Sequence, residues 1–115
     1  MYVEDSCRAI ELIIKNFYPG ETFNVGSGIR VENIKIIKIL SKIMKKEFKI
    51  NYVKDRPAHD FKYSLNSKKF KKKYNWQPKY DLEYGLKNTL KWYFLNKHWV
   101  IDSYKKYKGE RLGKL

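Results

Sequence analysis

The feature that most constrains this chain is its division into short segments by backbone breakers, so that no apolar stretch is long or continuous enough to build a large sheet or a membrane span. Ala9, Ile10, Ile13, Ile14 and Phe17 follow the i, i+3, i+4 rhythm of one helix face until Pro19-Gly20 closes the helix. Asp5 or Ser6 is the expected cap at its start. Thr22-Phe23-Asn24-Val25 reads as a short strand. Gly26-Ser27-Gly28 stops it, where absent side chains allow a sharp turn and the close approach of a ligand. A second helix is expected from Glu32 to Lys45, with Ile36, Ile37, Leu40, Ile43 and Met44 on one face. Residues 48–53 alternate as a strand with Phe48, Ile50 and Tyr52 toward one side.

The segment Asp55-Arg56-Pro57-Ala58-His59-Asp60 has no apolar period and is a polar loop, in which Pro57 fixes one dihedral and pushes Arg56 to an extended conformation. A short strand at 62–65 leads to Ser67, the expected cap of a lysine-rich helix reaching Tyr74. Asn75 suits the left-handed end of that helix. Asp81 caps the last long helix, Leu82 to about His98, with Leu86, Leu90, Tyr93 and Phe94 on its apolar face. The expected fold class is therefore α+β, with about four helices and three or four short strands. Residues 1–100 are read as one lobe and 101–115 as a polar tail.

A formal net charge of +14 raises the question of nucleic acid. Only four of the 26 basic residues are arginine, and the lysines are spread through every segment. Base readout leans on arginine and on a groove-entering element, so the pattern favours a solvated lysine-rich surface and makes a nucleic-acid partner the weaker reading. The lone Cys7 permits no intrachain disulfide, and no Cys/His set has zinc-ligand spacing. These features, with an acidic Met-Tyr-Val-Glu-Asp start in place of a basic signal sequence, lead to the expectation of a cytoplasmic protein with no membrane partner. No metal is expected.

Dinucleotide-binding chemistry is not encoded in the residues at hand. The one Gly-x-Gly, Gly26-Ser27-Gly28, follows a helix and has no third glycine, and there is no P-loop. By contrast, Arg56 suits an anion: a guanidinium fork can hold two oxygens of a diphosphate, Pro57 stiffens the loop that presents it, and Asp55 or Asp60 can orient it. His59 can donate to a phosphate or a ribose hydroxyl. A plain surface Asp-Arg pair is the alternative for this loop. For Asn24 the alternatives are a ligand contact and a turn-forming residue bonded to its own backbone.

Several segments in order resemble the C-terminal lobe of extended short-chain dehydrogenases that act on nucleotide sugars. They are Tyr2-Val3-Glu4-Asp5, Phe23-Asn24-Val25-Gly26, the loop 55–60 with Tyr63, Asn75-Trp76-Gln77-Pro78, and Tyr84-Gly85-Leu86 with Thr89, Trp92 and Tyr93. The Asp-Arg-Pro-x-His-Asp loop is the part that resembles dTDP-glucose 4,6-dehydratases in particular. The resemblance implies an NAD-dependent epimerase/dehydratase in which an N-terminal Rossmann lobe holds NAD and a catalytic Tyr-x-x-x-Lys pair, while the C-terminal lobe grips the nucleotide diphosphate. It implies that this chain contributes the grip alone: no bound cofactor, no catalytic residue, and NAD on a missing or separate polypeptide.

The substrate-binding residues implied are Asn24, Asp55, Arg56, Pro57, Ala58, His59 and, as a tail tyrosine closing over the nucleotide, Tyr107. Tyr104 and Lys108 have the catalytic pair's spacing but lie in the tail and are read as chance. Ala58 stands where the family usually has glycine and Asn66 where it usually has aspartate, so a positive φ at residue 58 would strain the loop by roughly 1 kcal/mol. A family arginine just before Tyr2 is expected to be absent as well. Trp76, Trp92 and Tyr93 are expected in the core. The alternative functions are a truncated inactive relic, a stand-alone nucleotide-sugar binder, and a small basic nucleic-acid-binding protein.

Overall fold

A computed structural model describes residues 1–55 and 57–107. These form five helices: α1 (Val3–Lys15), α2 (Asn33–Met44), α3 (Lys68–Lys73), α4 (Leu82–Leu95) and α5 (Lys97–Lys106). No strand occurs among the described residues, so the expectation of an α+β fold is corrected to an all-helical one. Residues 22–25, 48–53 and 62–65 have strand-like sequences but form no ladder. A strand exists only where a second backbone satisfies its N–H and C=O groups, and the described residues bring no such pair together.

The centre of the molecule is Ala9 of α1, Phe70 of α3 and Trp76, all buried, with Leu12, Ile13, Phe23, Val25 and Tyr74 packed around them. Aromatic edges do much of the joining. Phe23 and Trp76 each meet Phe70 edge-on, at centroid distances of 5.9 and 5.4 Å. A second set of contacts runs from α2 to α4 and from α4 to α5. Trp76 is in the core as expected. Trp92 and Tyr93 are not: about half exposed, their rings meet each other and Trp99 of α5.

Asp5 does not cap α1. The helix begins at Val3 with Tyr2 in the cap position, and Asp5 lies in its first turn, fully buried. Its carboxylate accepts hydrogen bonds from the backbone N–H groups of Lys79 (2.8 Å) and Tyr80 (3.2 Å) and from Arg8 Nη1 at 2.6 Å. One side chain thus fixes α1 against the segment that enters α4. Asp81 then caps α4 as expected, accepting from Tyr84 N at 2.7 Å. Tyr2 packs so closely on this helix that a Cβ at Gly85 would lie 3.1 Å from its own Cβ.

α3 has the sequence Lys-Lys-Phe-Lys-Lys-Lys, and three of its five lysines are engaged. Lys69 pairs with Glu21 at 2.9 Å and donates to the Thr22 carbonyl. Lys71 donates to the Ser27 carbonyl at 2.9 Å, and Lys73 pairs with Glu21 while lying 3.6 Å from the Tyr18 ring centre. Ser67 stands at the N-cap as expected, its carbonyl accepting from Lys71 N at 2.9 Å, but its side chain makes no capping hydrogen bond. Its hydroxyl is buried without a partner among the described residues, and Asn66 Oδ1 accepts from Lys68 N in its place. Asn75 does take the left-handed conformation, with φ 46°. The last helix is broken at Asn96, whose side chain bonds back to the Trp92 carbonyl.

Two stability predictions follow from these ties. Asp5→Ala leaves two backbone donors and Arg8 without their acceptor and is expected to lower stability by roughly 2–4 kcal/mol, read as a lower urea midpoint. The hydrogen bonds from Lys73 and then Lys69 hold the Glu21 carboxyl below the usual carboxylate range. The resulting stabilisation is present above the ordinary carboxylate pKa and is lost as the pH falls through the depressed one. Thermal melts of Glu21→Gln across that acid range should show a shallower dependence on pH than those of the parent.

Candidate functional site

The glycine turn and the segment before α3 come together to form two adjoining clefts. One, of about 280 Å³, is walled by Val25 to Arg30, Tyr63 to Leu65 and Met1. The other, of about 380 Å³, is walled by Gly28, Arg30, Ser64 to Lys68 and Lys71. Gly28 has φ 83°, a conformation open to glycine at little cost, and a Cβ there would lie 3.6 Å from Lys71 Nζ. Arg30, Lys68 and Lys71 give the second cleft a cationic rim. Such a concave surface of guanidinium, ammonium and small polar side chains is suited to an anion.

The loop at 55–60 is braced by its own side chains. His59 Nδ1 lies 2.7 Å from Asp55 Oδ1, and the Tyr63 hydroxyl donates to Asp60 Oδ2 at 2.8 Å. Ala58 sits at φ 53°, in the left-handed region that favours glycine. The strain anticipated for alanine at this position is therefore realised. Pro57 is exposed, and Arg56 lies outside the described residues.

The other expected site residues are dispersed. Asn24 is exposed at the approach to the glycine turn, one residue before the first wall of the smaller cleft. Tyr107 follows α5 and donates its N–H to the Ser103 carbonyl at 3.1 Å, and neither it nor Asn24 walls either cleft. Arg30, Lys68 and Lys71 were missed in the sequence. Their signal was an arginine two residues after a glycine turn, and lysines whose places on α3 became significant only when the turn folded against that helix.

A third cavity, of about 440 Å³, lies between Tyr2, Ile29, Val31 and the start of α4. Its two phenols, Tyr2 and Tyr80, ionise less readily than usual. Burial and the nearby Glu4 raise Tyr2 above the ordinary tyrosine value, and a hydrogen bond to Glu4, with burial, raises Tyr80. The spacing of a catalytic Tyr-x-x-x-Lys pair also occurs at Tyr93 and Lys97, which the sequence reading passed over. The break at Asn96 puts them on different helices. Among the described residues there is no group of three or more His, Cys, Asp or Glu able to hold a metal, and no helix is long and apolar enough to cross a membrane.

A family model described as GDP-mannose 4,6 dehydratase matches residues 1–89. The chain belongs to this family. The dTDP-glucose 4,6-dehydratase of Escherichia coli is 36% identical over 98% of the chain, and that of Xanthomonas campestris pv. campestris is 32% identical over the same share. The solved structure of dTDP-glucose 4,6-dehydratase from Bacillus anthracis, a complex with NAD, superposes with a TM-score of 0.75 over 84% of the chain at 35% identity. The chain spans about a third of these relatives: 35% of the length of the first two and 31% of the last.

Family membership gives the left-handed φ at residue 58 a direct test. Ala58→Gly removes the clash between Cβ and the backbone and is expected to raise stability by roughly 1 kcal/mol, measured by urea unfolding. A substitution to glycine at an exposed position inside a helix, such as Lys38→Gly in α2, should lower it.

Proposed function

We propose that this chain is the substrate-binding portion of an enzyme of the dTDP-glucose 4,6-dehydratase type, gripping the nucleotide diphosphate and leaving the chemistry to residues beyond its sequence. The observation that supports this reading is the turn at residues 55–60, left-handed at Ala58 and braced by Asp55 and His59, in a chain that enzymes of that name match almost end to end.

In this reading Arg56 clamps two phosphate oxygens, and Pro57 limits the conformations its loop must give up on binding. Asp55 engages His59 Nδ1, which leaves Nε2 as the ring nitrogen that serves a phosphate or ribose oxygen. Arg30 and Lys68 add positive potential at the neighbouring cleft, and Asn24 and Tyr107 contribute polar contacts to the nucleotide. NAD belongs to a Rossmann portion outside this sequence, on the same polypeptide or on a separate one, and the expected compartment is the cytoplasm. A nucleic-acid role is disfavoured by α3, whose lysines at 69, 71 and 73 are already engaged with Glu21 and with backbone carbonyls.

The test is a titration of the isotope-labelled chain with dTDP-glucose, with UDP-glucose and a short DNA duplex as controls. Amide shifts should cluster at Asn24 and at Arg56 to His59, and Arg56→Lys should weaken binding about tenfold, because an ammonium cannot reproduce the bidentate fork. A response to the duplex with none to the sugar nucleotide would sink the proposal.

A further inference from the structure

Around the cleft of about 380 Å³ the positive charge has nothing to answer it. Arg30 and Lys68 are exposed there, Lys71 is half-buried, and none of the three forms an ion pair among the described residues. Glu21, the acid that packs on α3, is taken by Lys69 and Lys73. Asn66, in the same wall, is neutral where the enzymes that the sequence resembles usually carry aspartate, so the carboxylate that would offset the rim is missing. Like charges gathered at one concavity repel one another, and an anion seated between them relieves that repulsion.

The donors are held in place by bonds of their own. Lys71 Nζ donates to the Ser27 carbonyl at 2.9 Å, which uses one of the three donors an ammonium carries, and it lies 3.6 Å from where a Cβ on Gly28 would stand. Ser27 Oγ accepts from Ile29 N at 3.2 Å and so shapes the turn that presents Arg30. On the facing wall Asn66 Oδ1 accepts from Lys68 N at 3.1 Å. That bond occupies the backbone donor at the start of α3, so the cleft offers side-chain groups. Ser67, 5% exposed, has a hydroxyl with no partner among the described residues, 3.3 Å from where a Cβ on Gly26 would stand in the wall of the smaller cleft. The smaller cleft shares Gly28, Arg30, Ser64 and Leu65 with the larger one and continues it past Ile29 and Tyr63.

We infer that the larger cleft is a binding site for a dianionic phosphate group, free or carried as a monoester, held by Arg30, Lys68, Lys71 and the Asn66 amide. No described residue of the loop at 55–60 walls this cleft, so the site is separate from the grip proposed for that loop and does not depend on it.

The isotope-labelled chain is titrated with inorganic phosphate and, separately, with phenyl phosphate, each against sodium chloride at equal ionic strength. Saturable amide shifts are expected at Gly28, Arg30, Asn66 and Lys68. Asn66→Asp keeps an acceptor for Lys68 N while placing a carboxylate in the cleft, and should weaken binding about tenfold; Arg30→Gln should weaken it about fivefold. Lys72→Gln removes the same amount of charge from an exposed position on α3 outside the cleft, and should change binding by less than about twofold. Tighter binding of phenyl phosphate, with added shifts at Ile29 and Tyr63, would assign the site to an ester whose body fills the smaller cleft, and equal binding would assign it to free phosphate. Shifts that chloride reproduces, or an equal loss in all three variants, would overturn the inference by reducing it to the overall charge of the chain. Undiminished binding in Asn66→Asp would overturn it as well. The loop reports through the amides of Ala58 and His59, so failure at this cleft and failure of the dTDP-glucose titration are told apart.

Discussion

The buried carboxylate of Asp5 is the contact on which the rest of the arrangement depends. A carboxyl group in that position must have its oxygens satisfied, and among the described residues the backbone at Lys79 and Tyr80, with Arg8, satisfies them. That requirement fixes α1 relative to the entry of α4, across more than seventy residues of sequence. With the two ends joined, Ala9 lies over Phe70 and Trp76, and the glycine turn at 26–28 meets α3. The clefts around Arg30 and Lys68 lie where that turn and helix meet.

Periodicity located α1 to α4 well, since a 3.6-residue rhythm is a local property, but it missed α5, whose second half takes up residues 101–106 of the expected polar tail. It did not show which apolar positions would be covered. Ile10, Ile14 and Phe17 share the rhythm of Ala9 and Ile13, yet they lie in solvent because a helix can be apolar over a wider arc than its own chain can bury. The strand-like segments failed for a related reason. Phe23 and Val25 found places in the core as single side chains, whereas Tyr52 and Val53 remain largely exposed. Alternation describes a surface prepared for a neighbour and does not supply the neighbour.

Sequence speaks to a candidate site through residues that adjoin one another, as from Asp55 to Asp60, and cannot show clefts that are assembled from distant ones. The conformation at Ala58 could be anticipated because one residue's φ depends on few others. Asp5 resembled a helix cap because acids near a helix start usually are caps, and its true partners lie at the far end of the lobe. The cationic rim depends on a turn and a helix separated by some forty residues, and no window of sequence contains both.

The lysines of α3 bear on how the chain's charge is to be understood. A formal excess of +14 suggests side chains that could be traded one for another. Lys69, Lys71 and Lys73 are not of that kind, because each holds an acceptor in the stretch between Glu21 and Ser27. Acetylation at exposed lysines elsewhere on the chain would only lower its isoelectric point. At these three positions it would release the strap that lies over Phe70 and open the core to water.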